Sequence, residues 1–400
     1  MLDFHRLSAD YQQALLRQAV PFWLKNSRDE RYGGYFDCLT NTGQALDSNK
    51  DIALQAQQTW AFAWLYNTLD GQPAWLEHAI HGGNFISQFA HSESIHTYAQ
   101  VNRLGRPTAT ATNLLSDSFT AMAYSQLYQA TRTDEWFMLA KQTFAKLLQR
   151  REVVRKQLAQ TTSQQQLLLH LSEPIALLKA TQELKPLVAE DDWKETLDIV
   201  LHELLREFLD RRTDTLREYI LPEGSFVNTP EGRRLNVGLT FQAVNFLLDL
   251  SLESGNRKLA MQVTTWCLHM CEQAWNELSG GLNQYVDLKK QPLIFPDWSQ
   301  KWAWVHVEAL AALTKSYFQT RHPDCPKWLK RIHDFTFQFF PDPQHPGWHI
   351  ALDQQNKPLM EIKATPSVGC YSLLRCLAEI SQTLIKCGQL QPLGRNVRIT

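Results

Sequence analysis

The chain has 400 residues, 44% hydrophobic and 20% charged, which predicts a large packed core and excludes extended disorder. Its 40 basic and 41 acidic residues give a net charge of -1, so neither nucleic acid nor a membrane is an expected partner. The N-terminus lacks an apolar segment of signal-peptide length, and no stretch is long enough to span a membrane. With 7 cysteines that show no framework spacing, the sequence predicts a cytoplasmic protein.

The first part of the chain alternates between helix and hairpin signals. An amphipathic helix is predicted to end near residues 28–29. Residues 33–36, Gly-Gly-Tyr-Phe, combine a turn with strand-forming residues, and residues 41–43, Asn-Thr-Gly, predict a hairpin tip. A second helix is then expected from about Asp51. The unit is therefore a helix, a short hairpin and another helix.

This unit recurs at residues 96–107, 279–292 and 346–358, and more weakly at 217–227. Diverged repeats of paired helices predict a closed or stacked α-helical array, with the hairpins at one rim. The expected architecture is a single all-α domain over residues 1–400. Residues 150–166 are interpreted as a loop-like insertion made of a solvated helix and a loop, and residues 388–400 as a surface tail.

Residues 296–313 hold a dense group of aromatic and polar side chains, with a helix predicted from Glu308 onwards. The group comprises Asp297, Trp298, Lys301, Trp302, Trp304, His306 and Glu308. So many polar groups would each need a partner in a plain core, whereas a sugar pocket combines apolar ring faces with hydrogen-bonding groups. A pocket for a small-molecule sugar is therefore predicted. Cys267, His269 and Cys271 match no standard zinc spacing, so no metal site is expected.

The order of several short motifs resembles the N-acylglucosamine 2-epimerase family from about residue 21 to about residue 384. The motifs are residues 33–36, 55–60, 116–119, 235–238, 280–282, 298–308, 363–370 and Arg375. The resemblance implies a six-hairpin (α/α)6 barrel that works as a cytoplasmic homodimer. It also implies interconversion of N-acetylglucosamine and N-acetylmannosamine, or of related aldoses and ketoses. No cofactor is implied, although some members respond to ATP as an effector.

The chain differs from this family at the positions that perform the chemistry. Members use two histidines for proton transfer, one in an Asn-Pro-Gly-His…Glu stretch and one in a Phe-His-x-Pro-Arg stretch. Here the first stretch carries Leu239 and Gln242 in place of the histidine and glutamate, and the second carries Ser372. Gln57 replaces an arginine that holds sugar oxygens. Loss of one acid–base group lowers a rate by about 10² to 10⁴, so the family's C2 epimerisation is expected to be negligible.

Three hypotheses follow. The first is a sugar-binding homologue that has lost the acid–base pair. The second is a C2 epimerase or isomerase in which His306 and Glu308 transfer protons. The third is a glycoside hydrolase that uses two of Asp117, Asp297 and Glu308. The expected substrate-binding residues are Gln57, Trp60, Asp117, Asn236, Gln242, Trp298, Lys301, Trp304, Ser372 and Arg375.

Overall fold

A computed structural model describes residues 2–46, 49–160 and 168–390. Within these residues, six helices form an inner ring, each running from the same end of the molecule. They are α3 (Ile52–Thr68), α5 (Leu115–Thr131), α7 (Ser172–Leu184), α10 (Val237–Ser254), α12 (Ala303–Thr320) and α14 (Tyr371–Gly388). Each packs against the next, and α14 packs against α3, so the ring is closed. The predicted (α/α)6 barrel is confirmed.

The outer ring consists of the helices that alternate with these in the chain. It contains α1 (Phe4–Gln13), a π-helical turn (Ala14–Ala19) and α2 (Val20–Asn26), followed by α4 (Pro73–Phe89), α6 (Asp134–Gln160), α8 (Glu190–His202) with a π-helical turn (Glu203–Glu207), α11 (Arg257–Ala274) and α13 (Cys325–Phe339). A four-residue helix, α9 (Pro230–Arg233), precedes α10. Two 3₁₀ turns are formed by Lys185–Leu187 and Pro222–Gly224. The core lies between the two rings, because the inner helices bury apolar residues on most of their faces.

Short strands connect the outer helices to the first turns of the inner ones, and they lie together at one rim. They are β1 (Cys38–Thr40), β2 (Ala45–Leu46), β3 (Lys50–Asp51), β4 (Tyr98–Val101), β5 (Pro107–Thr110), β6 (Leu169–His170), β7 (Leu209–Asp210), β8 (Thr215–Leu216), β9 (Tyr219–Ile220), β10 (Arg234–Asn236), β11 (Tyr285–Asp287), β12 (Lys301–Trp302), β13 (Ala351–Leu352) and β14 (Ile362–Ala364). They pair antiparallel in sheets of two or three strands. Strand β14 pairs with β1, so the last hairpin joins the first.

Local sequence signals explain where the inner helices begin. The side chain of Asp51 accepts the Leu54 N–H at the start of α3, and that of Asn236 accepts the Leu239 N–H at the start of α10. Gly34, in the first turn of the rim, has φ +66°, and a Cβ there would lie 2.6 Å from Gln55 Oε1. Only glycine fits both the backbone and the space.

Two predicted peripheral segments are only partly described by the structure. Residues 150–160 are the last turns of α6, where Arg150 donates to Asp117 at 2.7 Å and Arg151 pairs with Glu203. These ion pairs hold the helix against its neighbours and replace the solvation that the basic composition suggested. Residues 161–167, the rest of the predicted insertion, lie outside the described residues. The predicted tail is helical at Gly388, and residues 391–400 are likewise outside the described part.

Candidate functional site

The first two turns of the inner helices surround the barrel axis at the hairpin rim, a region that we call the cup. Its wall is formed by half-buried side chains from five of the helices, all polar or aromatic except Leu239: Gln57, Ser172, Leu239, Gln242, Trp304 and Ser372. Helical spacing places them on the lumen side. Gln57 shares a face with Trp60, Ser172 with Lys179, and Trp304 with Glu308. Lys179 Nζ lies 5.5 Å from the ring centroids of both Trp60 and Phe246, which belong to other inner helices.

Glu308 is the centre of the hydrogen bonding beneath the cup. It is fully buried, and its Oε1 accepts from Gln242 Nε2 at 3.2 Å, Ser372 Oγ at 2.8 Å and Arg375 at 2.5 Å. Oε2 accepts from Asn245 Nδ2 at 2.8 Å. Three inner helices, α10, α12 and α14, therefore meet on one carboxylate. With its charge and its oxygens satisfied by the protein, this carboxylate stabilises the wall.

Below Glu308, charges of alternating sign continue along the lumen. Arg375, also fully buried, pairs with Glu379 at 2.8 Å, and Glu379 pairs with Lys315 at 3.0 Å. Lys315 in turn contacts Asp249 at 2.8 Å. Burial raises the pKa of Glu379, but Arg375 and Lys315 outweigh it and the pKa falls to about 2. The ladder is paired at every step, as buried charges require.

The floor of the cup is filled by aromatic rings from three inner helices. Trp60 is fully buried, with its ring centroid 5.1 Å from that of Tyr371, which also meets Phe119 at 5.1 Å. Arg375 lies 5.0 Å from the Phe246 centroid. Trp60 and Arg375 were both predicted to bind substrate. The structure places them under the cup, where they close its floor.

His306 lies on α12, facing the outer ring. Its ring is fully buried, stacked on Phe335 at 5.3 Å between centroids. Nδ1 donates to the Trp302 carbonyl at 2.8 Å, and Nε2 accepts the Leu282 N–H at 2.9 Å. Burial lowers the pKa of His306 to about 3. The imidazole is therefore neutral, with both nitrogens engaged by backbone, and the position ties α12 to the turn after α11.

Helix α12 begins at Ala303, five residues before the start predicted at Glu308. Asp297, Trp298 and Lys301 precede the helix as expected, but the expectation that Trp304 and His306 also precede it is wrong. Trp304, His306 and Glu308 lie within its first two turns, so they point in different directions around it. Trp304 and Glu308 face the cup, and His306 faces away. The strand β12 before the helix lacks the usual helix-start signal, because Trp302 occupies the N-cap without a capping side chain.

Three other predicted residues hold the rim together. Asp117, fully buried in the first turn of α5, accepts from Thr97 N–H and Oγ1 at 2.8 and 2.7 Å and from Arg150. Asn236 caps α10. Lys301 is fully buried and donates to Ser279 Oγ at 2.7 Å and Asn356 Oδ1 at 2.6 Å. Burial lowers the pKa of Lys301.

Trp298 and Trp304 lie at different places, although both were predicted to bind one sugar. The Trp298 carbonyl accepts the N–H groups of Gln284 and Tyr285, and its side chain lines an outer groove of about 800 Å³ between α11 and β11. Asp297, half-buried, belongs to the same turn. Trp304 instead covers α10, where a Cβ on Gly238 would lie 2.1 Å from its ring. Of the pair, only Trp304 belongs to the cup.

A polar chain that was not predicted from the sequence lies at the edge of the cup. His170 lies 2.6 Å from Ser172 Oγ through Nδ1 and 3.3 Å from Glu218 Oε1 through Nε2. Burial raises the pKa of Glu218, but hydrogen bonds from His170 and Arg234 outweigh it and the pKa is lowered. The signal available in the sequence was the spacing of His170 and Ser172 across the start of an apolar helix. Glu218 lies 46 residues beyond Ser172, and no spacing in the sequence linked it to His170.

Among residues 2–46, 49–160 and 168–390, no three or more His, Cys, Asp or Glu side chains converge as metal ligands would. Over the same ranges, no helix has the length and apolar character needed to cross a bilayer.

Solved structures that resemble this chain include a sugar epimerase and a sugar isomerase. Cellobiose 2-epimerase from Bacillus thermoamylovorans B4167 superimposes with a TM-score of 0.81 and 18% identity, over 94% of this chain and 99% of that one. A D-mannose isomerase superimposes with a TM-score of 0.81 and 15% identity, over 94% of this chain and 98% of that one. At these identities the likeness establishes the fold, an (α/α)6 barrel.

Sequence comparison establishes the family. The profile of N-acylglucosamine 2-epimerase (GlcNAc 2-epimerase) matches residues 34–376. The N-acylglucosamine 2-epimerase of Rattus norvegicus is 27% identical over 381 residues, covering 92% of this chain and 90% of that protein. The chain belongs to the N-acylglucosamine 2-epimerase family.

Proposed function

We propose that this protein binds a neutral sugar in the cup and does not carry out the family's C2 proton transfer. The observation that supports this proposal most directly is the bonding of Glu308. Gln242 and Ser372 both donate to its Oε1, which places the two replaced stretches on one wall. Leu239 is one turn from Gln242 on α10. Ser372, at one histidine position of the family, thus contacts Glu308, and Leu239, at the other, lies one turn from a second residue that contacts it. Neither side chain can accept a carbon-bound proton near neutral pH.

The cup itself retains features that suit a saccharide. Its side chains include the indole of Trp304, the hydroxyl of Ser372 and the amide groups of Gln57 and Gln242. Such a combination can stack on a sugar ring and form hydrogen bonds with its hydroxyls. The charged groups beneath are already paired, as Arg375 is with Glu308 at 2.5 Å. A neutral sugar is therefore favoured over a phosphorylated or acidic one, which would need an unpaired cation.

The alternative of an epimerase built on His306 and Glu308 has less support. Both nitrogens of His306 are engaged by backbone on the side of α12 away from the cup, and Glu308 is engaged by four side chains. The hydrolase alternative also has less support than sugar binding without proton transfer. Asp117 is buried under Thr97 and Arg150, and Asp297 lies in the turn beside the outer groove. No two of its candidates face each other across one open space.

Binding is tested by titrating the protein with N-acetylglucosamine and N-acetylmannosamine while following tryptophan fluorescence and heat. We expect saturable binding that Trp304→Ala or Gln57→Ala weakens at least about tenfold, the effect of losing about 1.4 kcal/mol. Trp298→Ala, in the outer groove, is the matched control and should bind normally. Absence of binding by the wild type, or equal loss in the Trp298 variant, would contradict the proposed site.

Absence of chemistry is tested by incubating the protein with N-acetylmannosamine in deuterated water. No deuterium should appear at C2, and no N-acetylglucosamine should form. Exchange that disappears in His306→Ala would restore the epimerase hypothesis.

The homodimer and the cytoplasmic location are proposals that rest on the resemblance to the family. Sedimentation of the purified protein and fractionation of cells that produce it test them.

A further inference from the structure

The hydrogen bonds fix the protonation of His170. Ser172 N–H points at Nδ1 at 3.3 Å, and Ser172 Oγ lies 2.6 Å from the same atom. Because a backbone N–H can only donate, Nδ1 is the unprotonated acceptor, and Ser172 Oγ–H donates to it as well. The ring proton is then on Nε2, which donates to Glu218 Oε1 at 3.3 Å. A hydroxyl, an imidazole and a carboxylate are thus joined in line.

The carboxylate end of this chain is held firmly. Glu218 is 2% exposed, and its second oxygen accepts from Arg234 Nε at 2.5 Å. Its Oε1 also accepts from Asn236 Nδ2 at 3.2 Å. Asn236 is the N-cap of α10, whose third residue is Leu239. The fixed end therefore lies beside the helix that carries one of the replaced proton-transfer positions.

The hydroxyl end points towards the cup. Ser172 is the first residue of α7, and Lys179 lies seven residues further on, two turns along the same face. Lys179 lies over the rings of Trp60 and Phe246 in the lumen, so the shared face is the lumen face. Ser172 is half-buried and is the first residue of its helix, just as Trp304 and Ser372 are the second residues of α12 and α14.

We propose that Ser172, His170 and Glu218 form a proton relay that catalyses interconversion of the α and β anomers of the sugar in the cup. The inference rests on the proposed function, since it requires a sugar bound there. Ser172 is the residue that touches substrate. His170 acts through Ser172, and Glu218 holds the imidazole in the required tautomer.

The reaction needs proton transfers between oxygen and nitrogen only. The anomeric O1–H gives its proton to Ser172 Oγ as the Ser172 proton moves to His170 Nδ1. The C1–O5 bond breaks, its electron pair goes to O5, and O5 takes a proton from water. The imidazolium, stabilised by Glu218, returns its proton to the hydroxide that this leaves. The open aldehyde rotates about C1–C2 and closes on its other face by the reverse steps, so nothing is consumed.

The same relay does not replace the family's missing pair. Removing the C2 proton requires a base directed at carbon and a second group on the opposite face, and Leu239 and Ser372 occupy those positions. Hydroxyl protons transfer readily to a hydrogen-bonded imidazole. The chemistry that one relay on one side of the cup can supply is therefore opening and closing of the hemiacetal ring.

The test dissolves crystalline α-N-acetylglucosamine and follows its approach to the anomeric equilibrium by polarimetry and NMR, with the dissociation constant measured in parallel. We expect wild-type protein to accelerate exchange above the buffer rate in proportion to its concentration. Ser172→Ala and His170→Gln should lower the protein-dependent rate at saturating sugar at least about tenfold, a conservative figure for a general acid–base group. The dissociation constant should stay within about twofold. Ser172→Thr, which keeps the hydroxyl, should recover part of the rate.

His269→Gln, in the outer groove, is the matched histidine control and should keep the wild-type rate. Sugar that binds without any acceleration of exchange overturns the relay but leaves the proposed function intact. Absence of binding overturns the proposed function instead. If Ser172→Ala lowers affinity and rate together, Ser172 is a binding contact and the relay is wrong. Equal rates in wild type and Ser172→Ala also refute it.

Discussion

Replacing Glu308 by Gln should destabilise the protein strongly, because the change leaves Arg375 short of one partner in a site where both side chains have no solvent exposure. Removing one member of a buried ion pair typically costs about 3–5 kcal/mol, since the other charge stays buried. Here Arg375 keeps Glu379 at 2.8 Å, which favours the lower end, about 3 kcal/mol. The new amide also turns a donor towards the Asn245 Nδ2 donor.

The corresponding shift in melting temperature follows from chain length. Unfolding entropy is about 2.1 cal/mol/K per residue, so 400 residues give about 0.8 kcal/mol/K. A loss of about 3 kcal/mol should therefore lower the Tm by about 4 °C. Differential scanning calorimetry at pH 7.5 measures it. Asp334→Asn, which breaks an ion pair whose side chains are 62% and 56% exposed, is the control and should shift the Tm by about 1 °C or less.

A second variant combines Glu308→Leu with Arg375→Met, which removes both charges of the pair. Apolar replacement of both members of a buried pair is often close to neutral, so the double variant should be more stable than Glu308→Gln alone. A Tm for Glu308→Gln within about 1 °C of the wild type would refute the reasoning, because it would mean that the Arg375 charge does not depend on Glu308.

Three further predictions concern residues away from this pair. His306→Gln should lower the free energy of unfolding by about 2–4 kcal/mol at pH 7.5, because the Leu282 N–H and the Trp302 carbonyl lose their ring partners. The variant should bind sugar as the wild type does. Calorimetry with a sugar titration checks both, and weakened binding in a folded variant would place His306 in the cup. Burial lowers the pKa of His306 to about 3, below the value of about 6.5 in the unfolded chain, so its contribution to stability is lost as the pH falls below about 6.5. The Tm of His306→Gln should therefore fall less than that of the wild type between pH 7.5 and 5, and parallel curves would contradict this. Gly34→Ala should destabilise the protein by about 3 kcal/mol or more, since its Cβ would lie 2.6 Å from Gln55 Oε1. Gly255→Ala is the control, with a similar φ and nothing within 4 Å, and should destabilise it by only about 1–2 kcal/mol. Equal losses in a thermal melt would show that backbone strain alone determines the cost at Gly34.

The architecture was open to prediction because the repeated unit is visible in the residues themselves. Residues 41–43 form a hairpin tip between β1 and β2, and Asp51 caps α3 where the helix start was expected. Both signals are local, since each depends on the conformational preferences of a few neighbouring residues. Closure of the ring is not a local property. It was predicted from the order of motifs along the whole chain.

The roles of individual polar residues were harder to predict, because they depend on partners far away in sequence. Lys301 and His306 lie in the same short stretch as Trp304, yet they engage turns after α11 and β13 and face away from the cup. Nothing in the stretch itself distinguishes a residue that faces the lumen from one that faces the outer ring once the helix start is misplaced. Glu218, which completes a polar chain with His170, lies on a different rim segment and has no recognisable spacing.

The wall of the cup divides into residues that the barrel needs and residues that it does not. Glu308, Gln242 and Ser372 are bonded to one another, whereas Leu239 has an apolar side chain and Gln57 has no hydrogen bond to other residues that the structure describes. A new side chain at position 57 would therefore break no hydrogen bond to the described residues, whereas one at position 239 would replace an apolar side chain that packs against the core. This makes the protein a convenient host in which to ask how few substitutions turn a sugar-holding barrel into a working catalyst.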